Sequence, residues 1–224
     1  MTTPLLLLHP LGVDHRFWDP VRQYLPDAIT RDLPGAAVED IADAVEESLA
    51  GYDRVDLAGV SLGGLVAQVL AARRPGLVRR LVIADTVAVY PDAMRTMWRE
   101  RAAAVRQSGL EQIVEPTIGL WFSEAAPPDA VSRVRALLLS GDVERYARTC
   151  EALAAADTTG LAGRIAAPTL VACGKHDAPP FQQATEWFAA TLPNATVAWL
   201  PGGHATAYEH PEAFVDALTR FLAD

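Results

Sequence analysis

The stretch Val55-Asp56-Leu57-Ala58-Gly59-Val60-Ser61-Leu62-Gly63-Gly64-Leu65-Val66-Ala67-Gln68 decides how the rest of the chain is read. Its first six residues are mostly apolar, the pattern of a strand buried on both faces. From Leu62 the pattern turns helical and runs to Arg73, where Pro75-Gly76 closes it. Gly59-Val60-Ser61-Leu62-Gly63 is therefore a G-x-S-x-G turn between a strand and a helix, the setting in which the motif presents a nucleophilic serine. The turn forces Ser61 into a strained backbone conformation, and side chains two residues before and after it would collide. Gly59 and Gly63 remove those side chains, and Gly64 lets helix and strand approach closely. The Ser61 hydroxyl is then left at a helix N-terminus, where free N–H groups and the helix dipole favour negative charge. The bland alternative is a capping serine; the strand–turn–helix context argues against it.

Working outward, strand-like runs recur at 5–8, 28–30, 81–84, 169–173 and 196–200, with helical patterns at 17–24, 38–49, 181–191 and 211–222. That alternation predicts an α/β fold with a mostly parallel central sheet and helices on both faces. From 88 to 159 no strand-like run appears. Four helical stretches, at 92–108, 110–121, 129–139 and 143–156, are separated by Gly109, Pro127-Pro128 and Gly141. They read as a helical cap inserted into a core made of 1–87 and 160–224, placed over the strand ends where ligands bind in such sheets.

A 224-residue chain that is 50% apolar and 21% charged fits one such domain with an insertion. The formal charge of −9 argues against nucleic acid or an anionic membrane surface as partner. The pairs Arg73-Arg74 and Arg79-Arg80 read as solvated helix ends. Cys150 and Cys173 lack metal-ligand spacing, and two thiols point to a reducing compartment without a disulfide framework. Cys173 reads as a buried core thiol. No run approaches the ~20 apolar residues of a membrane span, and Leu5–Leu8 is too short for a signal sequence. A cytoplasmic enzyme without cofactor or metal is expected.

A serine nucleophile needs a general base, and the base needs an orienting carboxylate. Of five histidines, His204 follows the last strand on the Pro201-Gly202-Gly203 loop, the position such a base requires. His9 ends the first strand, His15 neighbours Asp14, His176 precedes the candidate acid, and His210 opens a helix. Asp177 follows the 169–173 strand and is the favoured acid; Asp85, at the end of the 81–84 strand, is its rival. The oxyanion hole is expected from the backbone N–H of Leu62 and of Leu11, in the loop His9-Pro10-Leu11-Gly12, since Pro10 has no N–H to give. For the pocket, Trp121 is a plausible wall. Arg133 or Arg135 could meet a substrate carboxylate, although a solvated arginine is the plainer reading of each.

Together, His9-Pro10-Leu11-Gly12, Gly59–Gly64, Asp177 and His204 resemble the α/β-hydrolase superfamily over essentially the whole chain. Within it the chain is similar to 3-oxoadipate enol-lactonases. The likeness is carried by 59–68, by Val-Arg-Arg-Leu-Val-Ile-Ala-Asp-Thr at 78–86, by Leu120-Trp121-Phe122-Ser123, and by 164–170. It implies an α/β-hydrolase fold, a Ser61–Asp177–His204 triad with the Leu11 and Leu62 amides, and a small ester or lactone substrate. Relatives usually carry two further strands ahead of the first one here. They also have a Gly-His-Gly turn where this chain has Asp32-Leu33-Pro34-Gly35-Ala36-Ala37; a shortened loop there would widen one side of the pocket. Two other functions fit the same residues: C–C bond hydrolysis or a cofactor-free lyase on this triad, and a non-catalytic ligand-binding protein. The intact triad speaks against the last.

Overall fold

The computed structural model describes residues 3–223. Six strands, β1 (Leu5–Leu8), β2 (Ile29–Arg31), β3 (Val55–Val60), β4 (Val78–Ala84), β5 (Thr169–Gly174) and β6 (Ala195–Leu200), form one sheet in the order β2-β1-β3-β4-β5-β6. Every neighbouring pair is parallel. The chain leaves β1 for β2 on one side and returns to β3 on the other, so the strand order reverses between β1 and β3. A crevice opens at the carboxyl ends of such a pair, and ligands of open α/β sheets settle there.

The connections are helical: α1 (Asp19–Arg22), α2 (Val38–Ser48), α3 (Leu62–Arg73), α8 (Pro179–Thr191) and α10 (Pro211–Ala223). In α3 every residue except Arg73 is buried, which is why its sequence is apolar all round rather than striped. The helix expected at 17–24 is instead a 3-10 turn, His15–Trp18, followed by the single turn of α1. Asp14 starts the 3-10 turn by accepting the Arg16 amide at 2.9 Å.

A further expectation is corrected. Strand β4 starts three residues earlier than the apolar run implies, which places Arg79 and Arg80 in the strand rather than at a helix end. The Arg79 guanidinium donates to both oxygens of buried Asp56, at 2.8 and 2.6 Å, and to the Leu222 carbonyl at 3.1 Å. The arginine pair expected at a solvated helix end thus belongs to a strand start organised around a partly buried ion pair. As the sheet edge, β6 leaves Val197 and Trp199 exposed. Removing one partner of a buried ion pair costs about 3–5 kcal/mol, and the value falls when one partner reaches solvent, as Arg79 does. Arg79→Met is therefore expected to lower unfolding free energy by about 2–3 kcal/mol in urea melts, whereas Arg80→Met, whose guanidinium lies over the Phe221 ring at 5.2 Å, should cost less than half of that.

Between β4 and β5 the chain builds α4 (Asp92–Ser108), α5 (Glu111–Trp121), α6 (Pro128–Leu139) and α7 (Val143–Ala155). Gly109 ends α4 with φ +82°, and Asp142 caps α7 by accepting the Arg145 amide at 2.7 Å. The two chain crossings of this insertion meet. Thr158 N–H donates to the Ala88 carbonyl at 2.8 Å, its hydroxyl donates to Gln68 Oε1 at 2.6 Å, and Gln68 Nε2 donates to the Val87 carbonyl at 3.0 Å. A bridge between Val89 and Asp157 completes the neck. No described helix is long and apolar enough to cross a membrane.

Candidate active site

Ser61 follows β3 and caps α3 with φ +54° and ψ −112°, a conformation that non-glycine residues rarely adopt. Neighbouring elements hold it there. Its N–H donates to the Ala84 carbonyl at 2.9 Å, and its carbonyl accepts the Thr86 hydroxyl at 2.7 Å. A Cβ on Gly59 would fall 2.1 Å from the Gly63 carbonyl oxygen, across the turn as the sequence implies. A Cβ on Gly63 would fall 2.3 Å from the Leu8 carbonyl, so this second glycine serves the packing of the elbow on β1.

Asp177 and His204 are brought together. His204 Nδ1 donates to Asp177 Oδ2 at 2.9 Å, and both side chains are buried. Asp177 Oδ1 accepts the Ala178 amide at 2.6 Å, which fixes the carboxylate plane. With Nδ1 committed to the carboxylate, Nε2 is the ring nitrogen left to work as a base. The rival Asp85 makes no bond to His204; its Oδ1 accepts the Gly174 amide at 2.8 Å. No hydrogen bond links Ser61 Oγ to His204 among the described residues, a contact that commonly tightens only when substrate is bound.

Leu11 and Leu62 line one cleft, with Arg145 and Tyr146 of α7 across from them. Leu62 is the first residue of α3, so its amide has no partner within the helix. The Leu11 loop is braced by His9, whose Nδ1 donates to the Pro10 carbonyl at 2.8 Å while Nε2 accepts the Leu33 amide at 3.1 Å. That pattern requires a neutral ring, and burial does hold the His9 imidazole below its usual range. Its bracing role is not visible in the sequence, because the Leu33 amide lies 24 residues away.

Trp121 is nearly buried, with its ring centroid 6.2 Å from that of His204, and its carbonyl accepts the Ala205 amide at 3.0 Å. Arg133 does not join it. Its side chain is 65% exposed and lies 3.7 Å from Asp129 one turn away, because α6 turns that face to solvent. Arg135 is likewise drawn outward, to Glu115 at 2.8 Å.

The family profile described as "Alpha/beta hydrolase family" matches residues 5–217. The chain belongs to the alpha/beta hydrolase family. It is 32% identical over 163 residues to 3-oxoadipate enol-lactonase 2 of Acinetobacter baylyi, a match over 71% of this chain and 60% of that protein. It is also 32% identical over 175 residues to the pimeloyl-[acyl-carrier protein] methyl ester esterase of Chromobacterium violaceum, over 74% of this chain and 69% of that one. Among solved structures, the enol-lactonase from Burkholderia xenovorans LB400 superposes with a TM-score of 0.92 at 25% identity, covering 100% of this chain and 93% of that one. A thermophilic esterase from Thermogutta terrifontis gives 0.91 at 28% identity, covering 100% and 90%.

Three residues around this alpha/beta hydrolase site escaped the sequence reading. Phe181, at the start of α8, packs on the His204 imidazole with centroids 4.2 Å apart. Tyr90 is buried against Phe181 and Trp98, and its hydroxyl faces Ser61 without a regular hydrogen-bond partner. Glu209, in the one-turn helix α9 (Thr206–Glu209), accepts the Ser123 hydroxyl, the Ser123 amide at 3.2 Å and the Gly203 amide at 3.4 Å. It therefore ties the loop bearing His204 to the end of α5. A Tyr after an Asp-Thr turn and a Glu in a short helix carry no periodic signal, so only their placement exposes them.

Proposed function

We propose that this protein is a serine hydrolase that cleaves a small carboxylic ester or lactone through an acyl-enzyme. The observation that carries this reading is the buried His204–Asp177 pair at 2.9 Å, set on the same sheet edge as a serine held at φ +54°. Ser61 attacks the carbonyl carbon while His204 Nε2 takes the hydroxyl proton, and Asp177 stabilises the imidazolium that forms. The Leu11 and Leu62 amides receive the oxyanion. His204 then returns the proton to the leaving oxygen, activates water, and the acyl group departs as the acid. The helices between β4 and β5 act as the cap, with Trp121 as a wall against His204.

The relatives named as enol-lactonases turn attention to lactones that carry a carboxylate. With Arg133 and Arg135 in solvent, the cation for such a group is Arg145 of α7, which lines the cleft beside Leu11 and Leu62 and whose side chain has no carboxylate partner among the described residues. Arg101 of α4 is already occupied, donating to the Tyr146 hydroxyl at 2.8 Å, to the Ile113 carbonyl at 3.4 Å and to the Thr117 hydroxyl. Steady-state hydrolysis of short p-nitrophenyl esters, a neutral γ-lactone and 3-oxoadipate enol-lactone tests the reading. Turnover of esters or lactones is expected. Arg145→Met should raise KM for the carboxylated lactone roughly tenfold or more, with little change for a neutral ester. No turnover of any ester or lactone would overturn the assignment.

A further inference from the structure

Behind the catalytic carboxylate stands a second one. Asp85 lies at the end of β4 with φ +47°; it and Ser61 are the non-glycine residues with positive φ among those described. Its N–H donates to the Ala172 carbonyl at 3.0 Å, which pins it between β4 and β5. Its side chain is completely buried. One oxygen accepts the Gly174 amide, while the other, Oδ2, has no partner from any amide or hydroxyl. Carboxyl oxygens of Asp85 and Asp177 lie within 4.8 Å of each other, with the Cys173 thiol in the same cluster. Asp177 is meanwhile committed on both sides, to His204 and to the Ala178 amide.

Two buried carboxyl groups this close disfavour a second negative charge, and of the two only Asp177 has an imidazole partner. We propose that Asp85 is a positioning residue: a neutral carboxylic acid whose hydroxyl donates to the Asp177 carboxylate and fixes its orientation toward His204. A lone buried Oδ2 is explained if it carries a proton. Burial first, and the Asp177 charge second, raise the Asp85 carboxyl well above the usual carboxylate range, in keeping with that state. Cys173 does not compete, since burial pushes its thiol upward too. The groups facing Asp85 are thus Asp177, Cys173 and the Gly174 amide, and none of them is a cation. The proposal rests on the Ser61–His204–Asp177 reading for its catalytic consequence, but not for the protonation state.

The sign of the stability effect follows from proton uptake. A carboxyl whose value is raised on folding stabilises the native state below its unfolded value, and that stability is lost as pH rises toward the folded value. Asp85→Asn keeps a donor and cannot ionise. Its melting temperature relative to the parent protein should therefore climb as pH is raised above about 4. Difference infrared spectroscopy should show a protonated-carboxyl C=O stretch in the parent that Asp85→Asn removes. In kinetics, Asp85→Leu should lower kcat roughly tenfold or more and move the acid limb of kcat/KM upward, because Asp177 loses a donor. Asp85→Asn should recover most of kcat with the acid limb in place. An acid limb that falls by about one pH unit in Asp85→Asn, or no protonated-carboxyl band, would mean Asp85 is an anion and overturn the proposal. Because the infrared and melting readouts need no turnover, they separate failure of this proposal from failure of the hydrolase assignment.

Discussion

Ser61→Ala is expected to lower kcat on any ester or lactone by about 10⁴–10⁶-fold while the protein remains folded. Alanine occupies the same left-handed position at a similar conformational cost, and its Cβ meets the same neighbours as serine. The loss is therefore chemical. A fluorophosphonate should add once to the parent protein, read by intact mass, and not at all to Ser61→Ala. The size of the residual rate also separates the two catalytic readings. If Ser61 only positions a substrate for proton transfer at His204, as in a lyase, a tenth or more of the activity survives its removal. That result, or absence of an adduct under conditions that label a control esterase, would defeat the acyl-enzyme mechanism.

Asp177→Asn is expected to cost about 10⁴-fold in kcat with the geometry intact. The carboxylate accepts from His204 Nδ1 at 2.9 Å and from the Ala178 amide at 2.6 Å. In the amide variant the oxygen stays with the Ala178 N–H, and the NH₂ group is presented to the histidine. His204 must then accept at Nδ1 and carry its proton on Nε2, the tautomer that cannot take a proton from Ser61. Raising the pH does not restore the correct tautomer, so the defect should persist across the alkaline plateau of the pH–rate profile. Activity within tenfold of the parent would transfer the acid's role to Asp85, which stands at the adjacent strand end.

The Ser61 turn and the Asp177–His204 contact were legible because each residue sits where a chain pattern ends: an apolar run stops and a polar residue stands at or near the break, with glycine or proline beside it. Leu62 is legible as a free amide because it starts a helix, whereas Leu11 is expected from its loop because Pro10 has no N–H to give. The four helices between β4 and β5 were legible as four helical stretches without a strand. What failed did so for physical reasons. Arg79 looks solvated to any local rule, because its partner Asp56 lies 23 residues away on β3 and meets it through strand pairing. Arg133 was chosen by its element, and which face of α6 turns inward depends on its packing against α5. Tyr90, Glu209 and the Asp85–Asp177 contact are products of the fold alone, since they join segments 29 to 92 residues apart.

The neck at Ala88 and Thr158 has a consequence for how this protein's selectivity can change. Its two chain ends are fastened to each other and to Gln68 of α3, and neither is fastened to the triad. Closing a segment of about 70 residues whose ends already meet adds little entropy when that segment grows or shrinks, because each doubling costs only about 0.6 kcal/mol. Length changes in α4, α6 and α7 are therefore tolerated at the neck, whereas the end of α5 is held to the His204 loop through Ser123 and Trp121 and is the part that has to be kept.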